Sequence, residues 1–232
     1  NQGSINSINN SGQIQSNSRA IYNIGTLSSL TNTNLITASN NAIDNGGTLG
    51  TITNRGTISA SLGYAIYNVY GNIESITNTS TGDINSASDT IFNGPGRYIS
   101  SLVNQGDIDA SADAAILNNG TISSLTNSGA IMSPEGIAIE NDGASSAITN
   151  LTNSGAITGG TGISNTTGSI ETITNTGSIS SSTSLADIHN NGHINMLINR
   201  QRNLTFTGNL PANYQIMIAS TSNYGKITFT DV

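Results

Sequence analysis

Asp187, His189 and His193 fall within the single stretch "DIHNNGHI", and the run "SSSTS" lies just upstream. A hydroxyl, an imidazole and a carboxylate are the parts of a nucleophilic triad. Both histidines, however, occupy variable positions of a repeat in which other copies carry Thr, Tyr, Ala or Ser. Solvent-facing decoration is therefore the favoured reading. No G-x-S-x-G elbow, H-E-x-x-H pair or phosphate-binding loop occurs. The sequence points away from an enzyme.

The acids are more concentrated. "GDINSASDT" and "GDIDASADAA" align, which places Asp83 beside Asp107 and Asp89 near Asp113, with Asp109 between them. Like charges one strand apart repel. A Ca²⁺ ion held by carboxylate oxygens would relieve that repulsion; a solvated acidic patch, screened by salt, needs no ion. The same acids could work as a carboxylate pair on polysaccharide. Aromatics gather in two neighbouring stretches, "SASLGYAIYNVYGNI" with Tyr64, Tyr67 and Tyr70, and "IFNGPGRYI" with Phe92, Arg97 and Tyr98. Rings offer contact area at low entropic cost, so a sugar or protein ligand is expected there.

These residues need a scaffold, and a repeat supplies it. The pattern [Ile/Leu]-x-Asn-x-Gly-x-[Ile/Leu] fits ten segments strictly, beginning at Ile8, Ile21, Ile43, Ile52, Leu102, Ile116, Leu125, Leu151, Ile173 and Ile188. A further copy, "LTNTNLI" from Leu30, has Asn34 in place of the glycine. Asn tolerates positive φ better than other non-glycine residues, so the glycine position is expected to be left-handed. Six looser copies bring the total to seventeen. Short and long links alternate between copies, so two copies make one unit. Units start at Ile8, Leu30, Ile52, Ile76, Leu102, Leu125, Leu151, Ile173 and Leu197 and are 22 to 26 residues long.

Short alternating strands rich in β-branched Ile, repeated at a fixed period, predict an all-β parallel β-helix of about nine stacked coils. Coils about 4.8 Å apart give a rod body roughly 40 Å long. Isoleucines fill its core, and Asn32, Asn54, Asn78, Asn104, Asn127, Asn153 and Asn175 should stack as an amide ladder. Thr31, Thr53, Thr77, Thr126, Thr152 and Thr174 should line one outward face, with Thr33, Arg55, Thr79, Ser128, Ser154 and Thr176 two positions on. Such a face could pair with an identical one, although threonine also simply favours strands. Leucine-rich repeats place their Asn at a different offset, and a disordered chain would have no reason to keep the spacing.

Composition bounds the function. Hydrophobic residues make up only 34% of 232, which a narrow rod tolerates because each coil needs few of them. A net charge of −7 with six Lys and Arg excludes a phosphate-binding stripe and thus nucleic acid. No apolar run is long enough to span a bilayer as a helix, so membrane insertion of this segment is not expected. Cysteine is absent, which removes disulfides and thiolate metal sites. The opening "NQGSI" falls inside a repeat and reads as an excised fragment. Residues 1–202 form the repeat region. Residues 203–232 hold four of the ten aromatics and read as capping strands, or as coils continuing in a looser register.

The Asn-x-Gly-x-Ile string, set in coils of some two dozen residues rich in Asn, Ser and Thr, resembles the passenger region of bacterial autotransporter (type V secreted) adhesins, the self-associating subgroup above all. "NYQIMIASTSNYGKITFT" is similar to the segment between such repeats and their membrane barrel. The resemblance implies a right-handed, three-sided helix displayed extracellularly on the cell surface, anchored in the outer membrane by a barrel not present in this chain. It implies adhesion, aggregation, biofilm formation and virulence, with identical copies on neighbouring cells, or a host glycan or protein, as partners. A carbohydrate-active β-helix enzyme, or the stalk of a missing catalytic domain, is the alternative.

Overall fold

A computed structural model describes residues 1–183, 186–222 and 224–231. Every regular element in them is a β-strand, and every strand-to-strand ladder is parallel. Each turn of the chain contributes strands to three faces. Face 1 stacks ten strands, from Ser4–Asn10, Thr26–Asn32 and Thr48–Asn54 up to His193–Asn199 and Asn213–Ile216. Face 2 begins with Gln13–Ser16 and Leu35–Ala38 and ends at Ser178–Ser181. Face 3 runs from Arg19–Asn23 and Asn41–Asn45 to Leu204–Gly208 and Ile227–Thr230. The long strands Ala130–Asn141 and Ala156–Asn165 pass round the corner between faces 2 and 3 and so belong to both.

The chain is a parallel β-solenoid of about ten turns. Nine are those counted from the repeat. The tenth comes from the tail, whose strands Asn213–Ile216 and Ile227–Thr230 pair in parallel with the turn before them. Nine intervals of about 4.8 Å make a rod of about 43 Å.

The register explains the isoleucine spacing. Leu30, Ile52, Ile76, Leu102 and Leu125 lie directly above one another on face 1, as do Leu27, Leu49, Ile73, Ile99 and Ile122. Ile36, Ile58, Ile84 and Ile108 form the column of face 2, and Ile43, Ile66, Ile91 and Ile116 that of face 3. All of these side chains are fully buried. Four apolar side chains per turn close a core that no single turn could bury. On face 3 the isoleucine column ends in Phe206, fully buried, with Phe229 stacked above it in register and edge-on at 5.5 Å.

The asparagines form two ladders. One follows the expected column, with Asn104 Nδ2 donating to Asn127 Oδ1 at 2.9 Å and its equivalents linking Asn10 through to Asn199. The second runs along the corner after face 3, from Asn23 to Asn45, Asn68, Asn93, Asn118, Asn141, Asn165 and Asn190. In both, each amide donates toward the later turn. Backbone N–H groups at the corners run the other way, as in Ser128 N–H to the Asn104 carbonyl. Most ladder amides also reach leftover corner carbonyls: Asn104 Nδ2 donates to Gly106 O at 3.0 Å and to Ala130 O at 2.8 Å. Most buried ladder asparagines are thus held by two or three acceptors, three at Asn104, which removes the cost of burying an unpaired amide.

The left-handed expectation for the motif glycines is overturned. Among the described residues only Gly96, Gly143 and Gly208 are glycines with positive φ, and none is a glycine of the strict motif. Close approach is the physical reason instead. A Cβ on Gly129 would sit 2.6 Å from the Gln105 carbonyl carbon and nearer still to the Gly106 oxygen, and Gly155 and Gly177 meet the same obstacle one and two turns up. Asn34 shows the effect of ignoring the rule. Beside it the Leu35 N–H reaches the Gly12 oxygen at 3.2 Å, whereas the matching bonds above Gly106, Gly129 and Gly155 are 2.9 Å.

Candidate functional site

Face 1 is the least charged surface of the rod. In its ten strands only Glu74 and Glu171 carry a carboxylate, and no Lys or Arg occurs. Thr31, Thr53 and Thr77 lie in one row; Val103 follows, then Thr126, Thr152 and Thr174, and Ile198 and Gln215 close it. A parallel row holds Ser7, Ser29, Thr51, Ser75, Ser101 and Ser124. The corner hydroxyls behave differently from these. Thr33, Thr79 and Thr176 fold back onto the carbonyls of Asn10, Asn54 and Asn153 at 3.0–3.2 Å, so they serve the scaffold. Among the described residues the six threonine hydroxyls of the first row make no hydrogen bond. They are free to bond elsewhere.

The acids gather on faces 2 and 3 of the fourth to sixth turns. Asp83 stands directly beside Asp107, and Asp109 lies beside Asn85 on one side and Met132 on the other. Asp83 and Asp109 line an open groove of about 700 Å³ with Pro134 and Glu135 across it. Burial, then the carboxylates of Asp107 and Asp83, pushes Asp109 up to about 6, and its Oδ1 is buried with no hydrogen-bond partner. Asp89 and Asp113 line a second groove, about 630 Å³, with Glu140. Asp89 accepts the Ala114 N–H at 2.8 Å, and Asp113 accepts the Ser88 hydroxyl at 2.9 Å. Burial raises Asp89 and Glu140 as well. Among the described residues no three acidic or histidine side chains converge as metal ligands, and Asp83, Asp89, Asp107, Asp109 and Asp113 form no such cluster.

Among the described residues no hydrogen bond joins the triad side chains. Asp187 spends both carboxylate oxygens on the backbone, accepting the N–H of Ser181 and of Thr205 at 2.8 Å each. His189 lies in a row between Ser164 and Thr207 on face 3, and His193 stands beside Ser169 on face 1. Within "SSSTS", Ser184 lies outside the described residues.

The aromatic group divides in two. Tyr64, Tyr67 and Phe92 stack against one another on face 3, with ring centroids 4.5 Å (Tyr64–Tyr67), 5.2 Å (Tyr67–Phe92) and 5.4 Å (Tyr64–Phe92) apart. Burial raises both Tyr64 and Tyr67. Tyr70, Arg97 and Tyr98 stand at the next corner, where Arg97 Nη1 donates to the Tyr70 carbonyl at 3.2 Å. Arg19, Tyr22 and Asp44 escaped sequence reasoning, yet the fold places them beneath Tyr67. The signal was present: Tyr22, Asp44, Tyr67 and Phe92 each follow the first Ile of their copy and precede its Asn.

The class of the protein is thus set by its architecture, a three-sided parallel β-solenoid with a hydroxyl face, an acidic flank and an aromatic strip. No protein-family profile, curated protein or solved structure matches the chain.

Proposed function

We propose that this chain is the rod of an extracellular, surface-displayed adhesin that binds copies of itself on neighbouring cells and so drives aggregation and biofilm formation. The observation that supports this reading is the row Thr31, Thr53, Thr77, Thr126, Thr152 and Thr174, whose hydroxyls are unspent on a flat face almost without charge. A hydrogen bond contributes only about 0.5–1.5 kcal/mol net. Many of them, repeated every 4.8 Å or so along two rods, add through multivalency. The low charge of face 1 matters as much, because two copies of a chain of net charge −7 meet there with the least repulsion. The resemblance to autotransporter passengers agrees with it and adds display at the outer membrane.

Cells displaying the chain are expected to clump and settle, and the purified chain to self-associate in sedimentation velocity. Replacing Thr53, Thr77, Thr126 and Thr152 by Lys should stop both while leaving the β-rich circular dichroism spectrum intact. Undiminished settling of that variant would overturn the proposal.

A second reading, a carbohydrate-active enzyme, draws on one observation. Asp109, raised to about 6 and flanked by Asp83 and Asp107 in an open groove, has the proton affinity of a general acid near neutral pH. Reducing ends released from a polysaccharide panel, and lost in Asp109→Asn, would support it.

A further inference from the structure

The outward row of face 3 reads Tyr22, Asp44, Tyr67, Phe92. Asp44 is the one short side chain in that run, so a slot opens between the turns of Tyr22 and Tyr67. Two strand spacings, roughly 10 Å, separate their backbones. The resulting pocket measures about 220 Å³, with Tyr70 as its third aromatic wall and Gly46 leaving its edge open. This is below the range of about 300–1,000 Å³ for drug-sized ligands, and it suits a single small ring.

The polar groups of the slot come as a matched pair. Asp44 is only 4% exposed, and its Oδ2 takes Arg19 Nε at 2.8 Å and Asn41 Nδ2 at 3.2 Å. Asp44 itself lines the pocket, and among the described residues no hydrogen bond involves its Oδ1, which can accept from a guest there. Arg19 lies over the Tyr22 ring at 4.5 Å and has uncommitted N–H groups beyond its ion pair. Tyr67 is packed against Phe92 on the side of the later turn, which leaves its other side toward Asp44.

We propose that this slot binds one pyranose ring of a neutral saccharide. Aromatic walls take the C–H face of a sugar, while a carboxylate oxygen and a guanidinium N–H side by side accept from and donate to neighbouring hydroxyls. The ion pair leaves the slot with no net charge, so Arg19 opposes a cationic guest and Asp44 an anionic one. The site stands apart from face 1 and does not depend on self-association.

The test uses saturation-transfer NMR on the 232-residue chain with methyl glycosides of glucose, galactose, mannose and N-acetylglucosamine. At least one should bind at millimolar concentration, with saturation strongest on protons of one ring face. Tyr70→Ala and Gly46→Leu should each weaken binding at least tenfold, and Tyr98→Ala, outside the pocket, should not. Tyr70 is 74% exposed, so its variant keeps the fold and carries the test even where Gly46→Leu does not. No binding by any of the four, binding unchanged in Tyr70→Ala, or displacement by arginine methyl ester as the better ligand would each overturn the proposal.

Discussion

The carboxamide of Gln201 stands where the next strand of face 2 would run: its Oε1 accepts the Ile179 N–H at 2.8 Å and its Nε2 donates to the Ile179 carbonyl at 2.8 Å. One side chain thus pairs as a peptide group would. Its Oε1 also accepts from Asn175 Nδ2 at 3.0 Å. Face 2 ends there, at Ser178–Ser181, while faces 1 and 3 continue above it.

Removing that side chain should loosen the upper end of the rod first. Gln201→Ala leaves the Ile179 N–H and carbonyl unpaired beside the core, at a cost of about 1–3 kcal/mol. Gln201→Glu keeps the acceptor and loses the donor, and should fall between the two. Hydrogen exchange should show faster opening at Ile179 with little change at Ile84, several turns away.

Asparagine ladders invite a sharper experiment. Asn104 accepts from Asn78 and donates to Asn127, both at 2.9 Å, and is fully buried. Asn104→Ala breaks both links and should cost about 2–4 kcal/mol, or several degrees in thermal midpoint at about 2–4 °C per kcal/mol. Asn104→Asp keeps the shape. Protonated, its carboxyl can accept from Asn78 and donate to Asn127; ionised, it presents an anion to the Asn127 oxygen. Burial raises the folded pKa of such a group above its unfolded value, so the native state binds the extra proton. Stability of this variant should therefore be near the parent's at pH 4 and fall as the pH rises toward 7, a trend that thermal melts at the two pH values would reveal.

Much of this architecture was legible because the spacing of Ile, Asn and Gly is itself a record of stacking. Ile52 and Ile76 share a column because the chain returns to the same face once per unit. The second Asn ladder could be read from the same motif, since Asn23, Asn45 and Asn68 occupy its asparagine position in the even copies. The role of the glycines was not legible. What forbids a side chain at Gly129 is the carbonyl of Gly106, and that oxygen belongs to another turn. The site of Tyr22, Asp44 and Tyr67 was hidden for a similar reason: their proximity emerges only after links of unequal length have been aligned into register.

Glycine substitutions test that explanation directly, since the same motif position meets different surroundings along the rod. Gly129→Ala drives a Cβ into the Gly106 carbonyl, whereas Gly12, in the first turn, has nothing within 4 Å of its would-be Cβ. The first substitution should cost about 2–4 kcal/mol and the second should lie within about 0.5 kcal/mol of neutral. A left-handed backbone at the motif would instead penalise both alike, so chemical denaturation of the pair separates the two accounts.

Asp109 supplies a pH signature for the acidic flank. Its folded value, about 6, lies above the ordinary 3.8 because burial and the Asp107 and Asp83 carboxylates disfavour its ionised form. The native state consequently holds this proton more tightly than the unfolded chain does. Its contribution to stability is fully present at pH values below about 4 and is lost as the pH rises through 6. Solvent screens a half-exposed group, so the loss is about 1 kcal/mol rather than the full shift converted. Asp109→Asn should remove that slope and leave the chain more stable than the parent at pH 7, while matching it near pH 4. Identical pH profiles for the two would show that Asp109 titrates as an ordinary surface acid, and the enzymatic reading of its groove would lose its only support.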